Sequence, residues 1–230
     1  MMTFAIFGAA GATGLKTVRQ ALSRGHRVIA IELEDDPSLA ALDGVELRTA
    51  DVMNDDLGPV LDGADAVISC LGVGGKVSTL LDPPPLYSKG AGRIVEGMKS
   101  VGLTRLVVMS ATFVGAKDRG PVWFRFPAMA ALDRVLDDMT EMEHLLRATD
   151  GIDWTAVRPG WLMEGDLTAD YHVQADVIPE GHIRTRMADV AHFMLELAEG
   201  TGWVRQTPAL SRKEHESATS FDKVVADMVA

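Results

Sequence analysis

Short apolar runs alternate with stretches of helical spacing along most of this chain. Phe4–Phe7, Arg27–Ile31, Ala66–Leu71, Arg105–Met109 and Trp154–Arg158 predict strands, and Val45–Arg48 predicts a shorter one. The unbroken apolarity of Ala66–Leu71 implies burial on both faces. Helical spacing recurs at Leu15–Leu22, Gly90–Val101, Ala128–Ala148 and Met187–Glu199, with a shorter helix expected at Asp55–Leu61. Asp82-Pro83-Pro84-Pro85 reads as loop, with a helix opening at Leu86. Strands that alternate with helices imply a parallel sheet covered on both sides, hence an α/β fold. Thr112–Pro127 has no period and follows the fifth strand, at the edge where open α/β sheets bind ligands. It reads equally as a functional lid and as a cover for the core edge.

Toward the end, Phe221, Val224, Val225 and Met228 share one helical face. Residues 211–230 are therefore expected to form a helical extension of a single domain spanning 1–210. That helix would dock on the domain or on a second subunit, which leaves monomer and homodimer both open.

Composition narrows the picture by exclusion. Of 230 residues, 47% are hydrophobic and 24% charged, the balance of ordinary globular proteins. A net charge of −11 argues against binding phosphate backbones, so no nucleic-acid partner is expected. No apolar run approaches the roughly 18 residues of a membrane span. The first strand begins at once, without the pattern of a leader, so the expected location is cytoplasmic. The single cysteine, Cys70, reads as a small buried core residue. The six histidines show no metal-ligand spacing and no Gly-x-Ser-x-Gly elbow occurs, so neither a metal nor hydrolase chemistry is expected.

Most of the chemistry is carried by Gly8-Ala9-Ala10-Gly11-Ala12-Thr13-Gly14, between the first strand and the first helix. Such a turn brings backbone N–H groups and the positive end of a helix dipole together, which binds a pyrophosphate. Gly8, Ala10, Gly11, Ala12, Thr13 and Gly14 are the candidate residues. Glu32 closes the second strand at roughly the 20-residue spacing of a carboxylate that binds a ribose 2′-hydroxyl. The segment Glu32-Leu33-Glu34-Asp35-Asp36 holds no cation to receive a 2′-phosphate. NAD is thus favoured over NADP. Asp51-Val52, just after the third strand, is expected to flank the adenine; the competing reading of Asp51 is a cap for the helix that follows.

In these residues and the motifs that follow them, the chain resembles the atypical short-chain dehydrogenase/reductase superfamily in its NmrA-like NAD(P)-binding branch. It is most similar there to the biliverdin reductase B/flavin reductase type. The matching features are the Gly8–Gly14 turn, Asp51-Val52, Asp65–Ile68 leading to Leu71-Gly72, and Arg105–Val108 before Ser110. Gly151–Thr155 with Val157-Arg158-Pro159-Gly160, and Asp189–Met194, complete the series. The resemblance implies a Rossmann-like, doubly wound parallel sheet in a single domain with helices on both faces. It also implies that Leu71, Gly72, Ser110, Pro159, Gly160 and Trp161 line the cofactor, and that Ser110 is the catalytic candidate.

Departures from the family pattern shape the expected activity. The superfamily's Tyr-x-x-x-Lys pair is absent, since Ala91 follows Tyr87 and Ala175 follows Tyr171 at that spacing. The expectation is an NAD(P)H-dependent reductase that passes hydride to a flavin, quinone or similar conjugated acceptor without that dyad. Ala111 and Trp161 replace a serine and a histidine of the flavin reductase group, which favours a stacked flavin or quinone over biliverdin. The alternative is a non-catalytic redox sensor of the NmrA type. Ser110 reads equally as a strand-end serine bonding backbone. The resemblance sets Glu143 on the helix facing the Ser110 region, but a solvated helix residue is the favoured reading. Tyr87 is expected in the core, with a hydrogen bond to substrate or phosphate as its alternative, and Trp161 and Met163 could wall the acceptor or simply pack a loop.

Overall fold

The computed structural model describes residues 1–73, 82–116, 130–215 and 218. The apolar runs form a sheet in the order β3-β2-β1-β4-β5-β6-β10-β8, eight strands among the described residues. These are β1 (Thr3–Phe7), β2 (Arg27–Glu32), β3 (Val45–Thr49), β4 (Ala66–Ser69), β5 (Arg105–Met109), β6 (Asp153–Pro159), β8 (His172–Ala175) and β10 (Pro208–Ser211). All neighbours pair in parallel except β10 with β8, which is antiparallel. The chain leaves β1 toward β2 and β3, then returns to the other side of β1 as β4. The β1/β4 junction is therefore the switch point, where ligands of such sheets bind beyond the carboxyl ends.

Alternation along the strands sends side chains into two cores, as a strand's period of two requires. Phe4, Ile6, Val28, Ala30, Ile68 and Val107 join one cluster, and Ala5, Phe7, Ile29, Ile31, Val67 and Val108 the other. The first is covered by α1 (Ala12–Ser23) with α7 (Met187–Glu199), the second by α4 (Leu86–Ser100) with α6 (Ala130–Ala148). This is the expected doubly wound α/β fold with helices on both faces.

Several boundaries differ from the sequence reading. The helix expected at Asp55–Leu61 is one turn, α3 (Gly58–Leu61), because Asp51 and Asp55 tie residues 51–55 into a tight turn first. The Leu86 start and the Gly90–Val101 pattern belong to one helix, α4. Two further single-turn helices, α2 (Pro37–Ala40) and α5 (Thr112–Gly115), had no periodic signal. After β6 the structure adds β7 (Trp161–Met163) and β9 (Arg184–Arg186), paired in parallel as a separate ribbon, besides β8 and β10. These four strands are three or four residues long, too short for alternation to register. The expected helix at 221–228 and the aromatic part of Thr112–Pro127 lie outside the described residues.

Candidate cofactor site

Gly8 leaves β1 at φ +68°, with its N–H donating to the Ile31 carbonyl at 3.2 Å. A Cβ there would stand 2.9 Å from the Cys70 carbonyl oxygen, so both conformation and space demand glycine. At Gly14 an added Cβ would fall 1.9 Å from the Gly8 carbonyl oxygen, which makes Gly14 the contact that seats α1 against the turn. Gly11 is different. It sits at φ −64° as the N-cap of α1, and a Cβ would meet only the Gly8 carbonyl oxygen at 3.2 Å. With no side-chain cap on the helix, the first-turn N–H groups of Ala12, Thr13 and Gly14 point out of its positive end.

The cradle therefore fits a pyrophosphate: a bare backbone, tightly turned, at the switch point of a parallel sheet. Thr13 is buried, and Thr17 Oγ1 donates to its carbonyl at 3.0 Å. Cys70 packs beside Thr17, and burial pushes its thiol up to about 12, so it is the inert core residue expected.

Glu32, at the end of β2, reaches back over the turn and accepts from the Ala10 N–H at 2.6 Å. Burial holds its carboxyl above the ordinary carboxylate range; the Ala10 N–H opposes this and the nearby Asp36 charge adds to it. Asp36 itself caps α2, accepting from the N–H groups of Ser38 and Leu39. The Ala50 N–H donates to the Glu32 carbonyl at 2.8 Å and so brings Asp51 and Val52 alongside. Asp51 accepts from the Met53 N–H at 2.8 Å and the Asn54 side chain at 2.7 Å, bonds that lower its pKa. It fastens its own turn rather than capping a helix. Val52 is buried against Gly90 of α4.

Beyond β4, Leu71 is half-buried and Gly72 exposed, with the Tyr87 hydroxyl 3.9 Å from where a Gly72 Cβ would be. Tyr87 is a core residue, as expected. Its hydroxyl accepts from the Val73 N–H at 3.4 Å, and burial pushes its pKa up to about 12.

At β5 and β6 the structure holds a group that the sequence reading missed. Glu143 is fully buried, not solvated. It accepts from Ser110 Oγ at 2.8 Å, from Arg158 Nε at 2.9 Å and Nη2 at 2.6 Å, and from Arg147 Nη2 at 2.8 Å. Arg158 also donates from Nη1 to the Asp176 carbonyl at 2.9 Å. A carboxylate can lie in this interior because a bidentate guanidinium faces it. The signal was present: Arg158 is a cation inside a strand otherwise made for burial, and such a charge needs a partner. Ser110 bonds this carboxylate instead of backbone, and with its proton directed at Glu143 it offers lone pairs only.

Val135 and Met139 precede Glu143 on α6 at four-residue steps, so the three share a face. They are buried with Phe113, whose ring centroid lies 6.4 Å from that of Trp161, so the wall beside Ser110 is apolar. Pro159 closes β6. The Gly160 N–H is taken by Thr185 Oγ1 at 2.8 Å and the Leu210 carbonyl at 3.2 Å, and the Trp161 N–H by the Ile183 carbonyl. The Trp161 N–H thus ties the start of β7 to the residue before β9, while the Gly160 N–H holds the end of β6 to β10.

A turn of this kind at the switch point of a doubly wound sheet defines a dinucleotide-binding protein. The family model for NAD(P)H-binding proteins matches residues 8–200, and the chain belongs to that family. Among solved structures it is similar to the oxidoreductase ylbE of Lactococcus lactis, with 19% identity, 98% of this chain and 96% of that one covered, and a TM-score of 0.74. A candidate NADH-flavin reductase from Streptococcus pneumoniae TIGR4 is 21% identical over 93% of this chain and 100% of its own, with a TM-score of 0.73. A short-chain dehydrogenase/reductase of Veillonella parvula, in complex with NADP, is 14% identical over 92% and 94%, with a TM-score of 0.72. At these identities the likeness speaks for the fold.

Proposed function

We propose that this protein is an NAD(P)H-dependent reductase that passes hydride to a flavin, quinone or similar flat conjugated acceptor. The observation that carries the reading is the commitment of the Ser110 proton to Glu143, beside the apolar wall of Val135, Met139, Phe113 and Trp161. Bound reduced nicotinamide would supply the hydride. The Gly8–Gly14 turn holds the pyrophosphate in this reading, Asp51 and Val52 flank the adenine, and Leu71, Gly72 and Pro159–Trp161 line the path toward Ser110. Trp161, half-buried over the Phe113 ring, offers a face for a stacked acceptor, whose proton then comes from solvent. Supporting names come from the fold relatives described as oxidoreductase and as candidate NADH-flavin reductase.

NAD is the preferred dinucleotide in this reading. Glu32 stands over the turn where a ribose 2′-oxygen would arrive, and a phosphate there would face its charge. The two nearest strand arginines support it. Arg27 opens β2 at the end away from Glu32, and Arg48 is engaged by Glu46 and by the carbonyls of Val60 and Asp62. The test follows loss of the reduced-nicotinamide absorbance with NADH or NADPH and with FMN or a benzoquinone added. Many turnovers, with tighter NADH than NADPH, are expected. Tight dinucleotide binding without turnover would replace the enzyme by a redox sensor, and tighter NADPH would remove the role given to Glu32.

A further inference from the structure

Tyr87 is the second residue of α4, and its ring packs in the core. Its hydroxyl can both accept and donate, and only one capacity is in use. The oxygen accepts from the Val73 N–H at 3.4 Å, whereas the phenol proton finds no acceptor among the described residues. The neighbouring Asp138 carboxylate is taken at the start of α4 by the N–H groups of Tyr87 and Ser88 and by the Ser88 hydroxyl. A donor left over at the margin of a core carries a penalty that an arriving acceptor removes. Burial pushes this phenol up to about 12, so it keeps its proton, and remains a donor, at any ordinary pH.

A separate observation concerns the space over that hydroxyl. Gly72, just past the carboxyl end of β4, is exposed. A Cβ built on it meets a single atom of the described residues, the Tyr87 hydroxyl oxygen at 3.9 Å. Gly72 has no positive φ and nothing crowds it, so neither conformation nor space demands glycine there, unlike at Gly8 and Gly14. The missing side chain leaves an open place whose floor is the unused phenol.

In the sheet, β4 lies between β1 and β5. Along the carboxyl edge, Gly72 therefore stands between the turn after β1 and Ser110 after β5. A dinucleotide with its pyrophosphate on the turn and its nicotinamide toward Ser110 carries its second ribose across this point. We propose that Tyr87 is a cofactor-binding residue, its hydroxyl donating to an oxygen of the nicotinamide-side ribose seated over the bare Gly72. This rests on the reading in which the Gly8–Gly14 turn holds the pyrophosphate. Ribose hydroxyls are neutral acceptors, suited to a phenol that stays protonated, and the bond leaves the Val73 contact in place.

Titration calorimetry on the full chain with NADH, ADP-ribose and ADP separates the parts of the cofactor without any turnover. Tyr87→Phe keeps the ring in the core and removes only the O–H. NADH and ADP-ribose, which contain the second ribose, should bind about fivefold more weakly, and ADP, which lacks it, as tightly as before. Gly72→Ala places a methyl group in the open place, with no described atom nearer than 3.9 Å. It should leave Tm unchanged and weaken the same two ligands about tenfold, with ADP again unaffected. If Tyr87→Phe does not fold, Gly72→Ala decides with the same three ligands. Parental affinity for NADH and ADP-ribose, beside normal ADP binding, would return Tyr87 to packing alone. Equal weakening of all three ligands would move its contact away from the second ribose, and either result overturns this proposal while the turn keeps its role. A parent chain that binds no ADP would remove the reading of the turn itself, and this proposal with it.

Discussion

At the β1–α1 end of the carboxyl edge, the groups offered to a ligand are backbone N–H groups of consecutive residues, with Glu32 and Asp51 exposed enough to meet it. At the β5–β6 end, Ser110, Glu143 and Arg158 come from three separate elements and meet in the interior. The first arrangement requires only that glycine stand at fixed places in a short segment. The second requires the sheet and α6 to be assembled before any of its bonds exists. One end thus depends on local conformation, the other on tertiary packing. Substitutions should separate the two, with affinity lost at one end and stability at the other.

The largest effect is expected at the buried ionic group. Glu143→Gln leaves Arg158 buried without its counter-charge, which should cost about 3–5 kcal/mol. For a chain of this size that is a fall of roughly 6–20 °C in Tm, read by thermal unfolding. Replacing both partners, Glu143→Leu with Arg158→Met, should recover a large part of the loss, since matched apolar groups need no ion pair. A Glu143→Gln protein as stable as the parent would mean that the ionic contact adds nothing to the interior.

Gly11→Val should show the opposite signature. Gly11 is at an ordinary φ, and its Cβ would meet only one carbonyl oxygen at 3.2 Å, so stability should change by about 1 kcal/mol or less. The added branch stands where a pyrophosphate would approach, and NADH affinity should fall about a hundredfold or more, measured by fluorescence titration. Gly8→Ala sharpens the contrast, because positive φ and the 2.9 Å approach to Cys70 make it a folding mutation. A folded Gly11→Val protein with parental NADH affinity would remove the turn from the cofactor site.

The same contrast explains what could be read from the chain. The β1–turn–α1 unit was legible because its signal is contiguous, an apolar run, three glycines and a helical stripe, each with a local physical reason. Five of the six expected strands matched within a residue at each end; the fourth was expected to run two residues past its observed end, because Cys70 and Leu71 continue its apolarity beyond the last paired residue. The short ribbon strands β7 and β9 escaped notice since their partners are each other, some twenty residues apart. Glu143 was misread because residue type alone puts a lone glutamate in solvent, although its four-residue steps from Val135 and Met139 set it on the buried face, and its partners lie at β5 and β6. Arg158 was the available clue. The structure also divides the glycines, since Gly8 and Gly14 shape the turn while Gly11 leaves room beside it.

The smallest effect concerns Glu32, and it sharpens the wet end of the comparison. Burial holds its folded-state pKa above the ordinary carboxylate value, so on acidification it gains a proton earlier than a solvated glutamate does. In the proposed NAD-preferring reading, the carboxylate above that pKa would accept a ribose hydroxyl and repel a 2′-phosphate; below it the repulsion would be gone. The preference for NADH over NADPH should therefore shrink as pH falls, by roughly threefold to tenfold between about pH 8 and about pH 5. The 2′-phosphate also gains a proton near pH ~6, and this acts in the same direction. Glu32→Gln separates the two causes. It retains an acceptor but has no charge to lose, so its NADPH-to-NADH affinity ratio should start higher at about pH 8 and vary with pH only as the phosphate does. The linkage to stability runs the same way: a raised carboxyl pKa favours the fold at low pH and loses that contribution as pH rises through it, so Glu32→Gln should be neutral or slightly stabilising at about pH 8. Parallel pH profiles for the parent and Glu32→Gln would show that the selectivity is set by the phosphate alone.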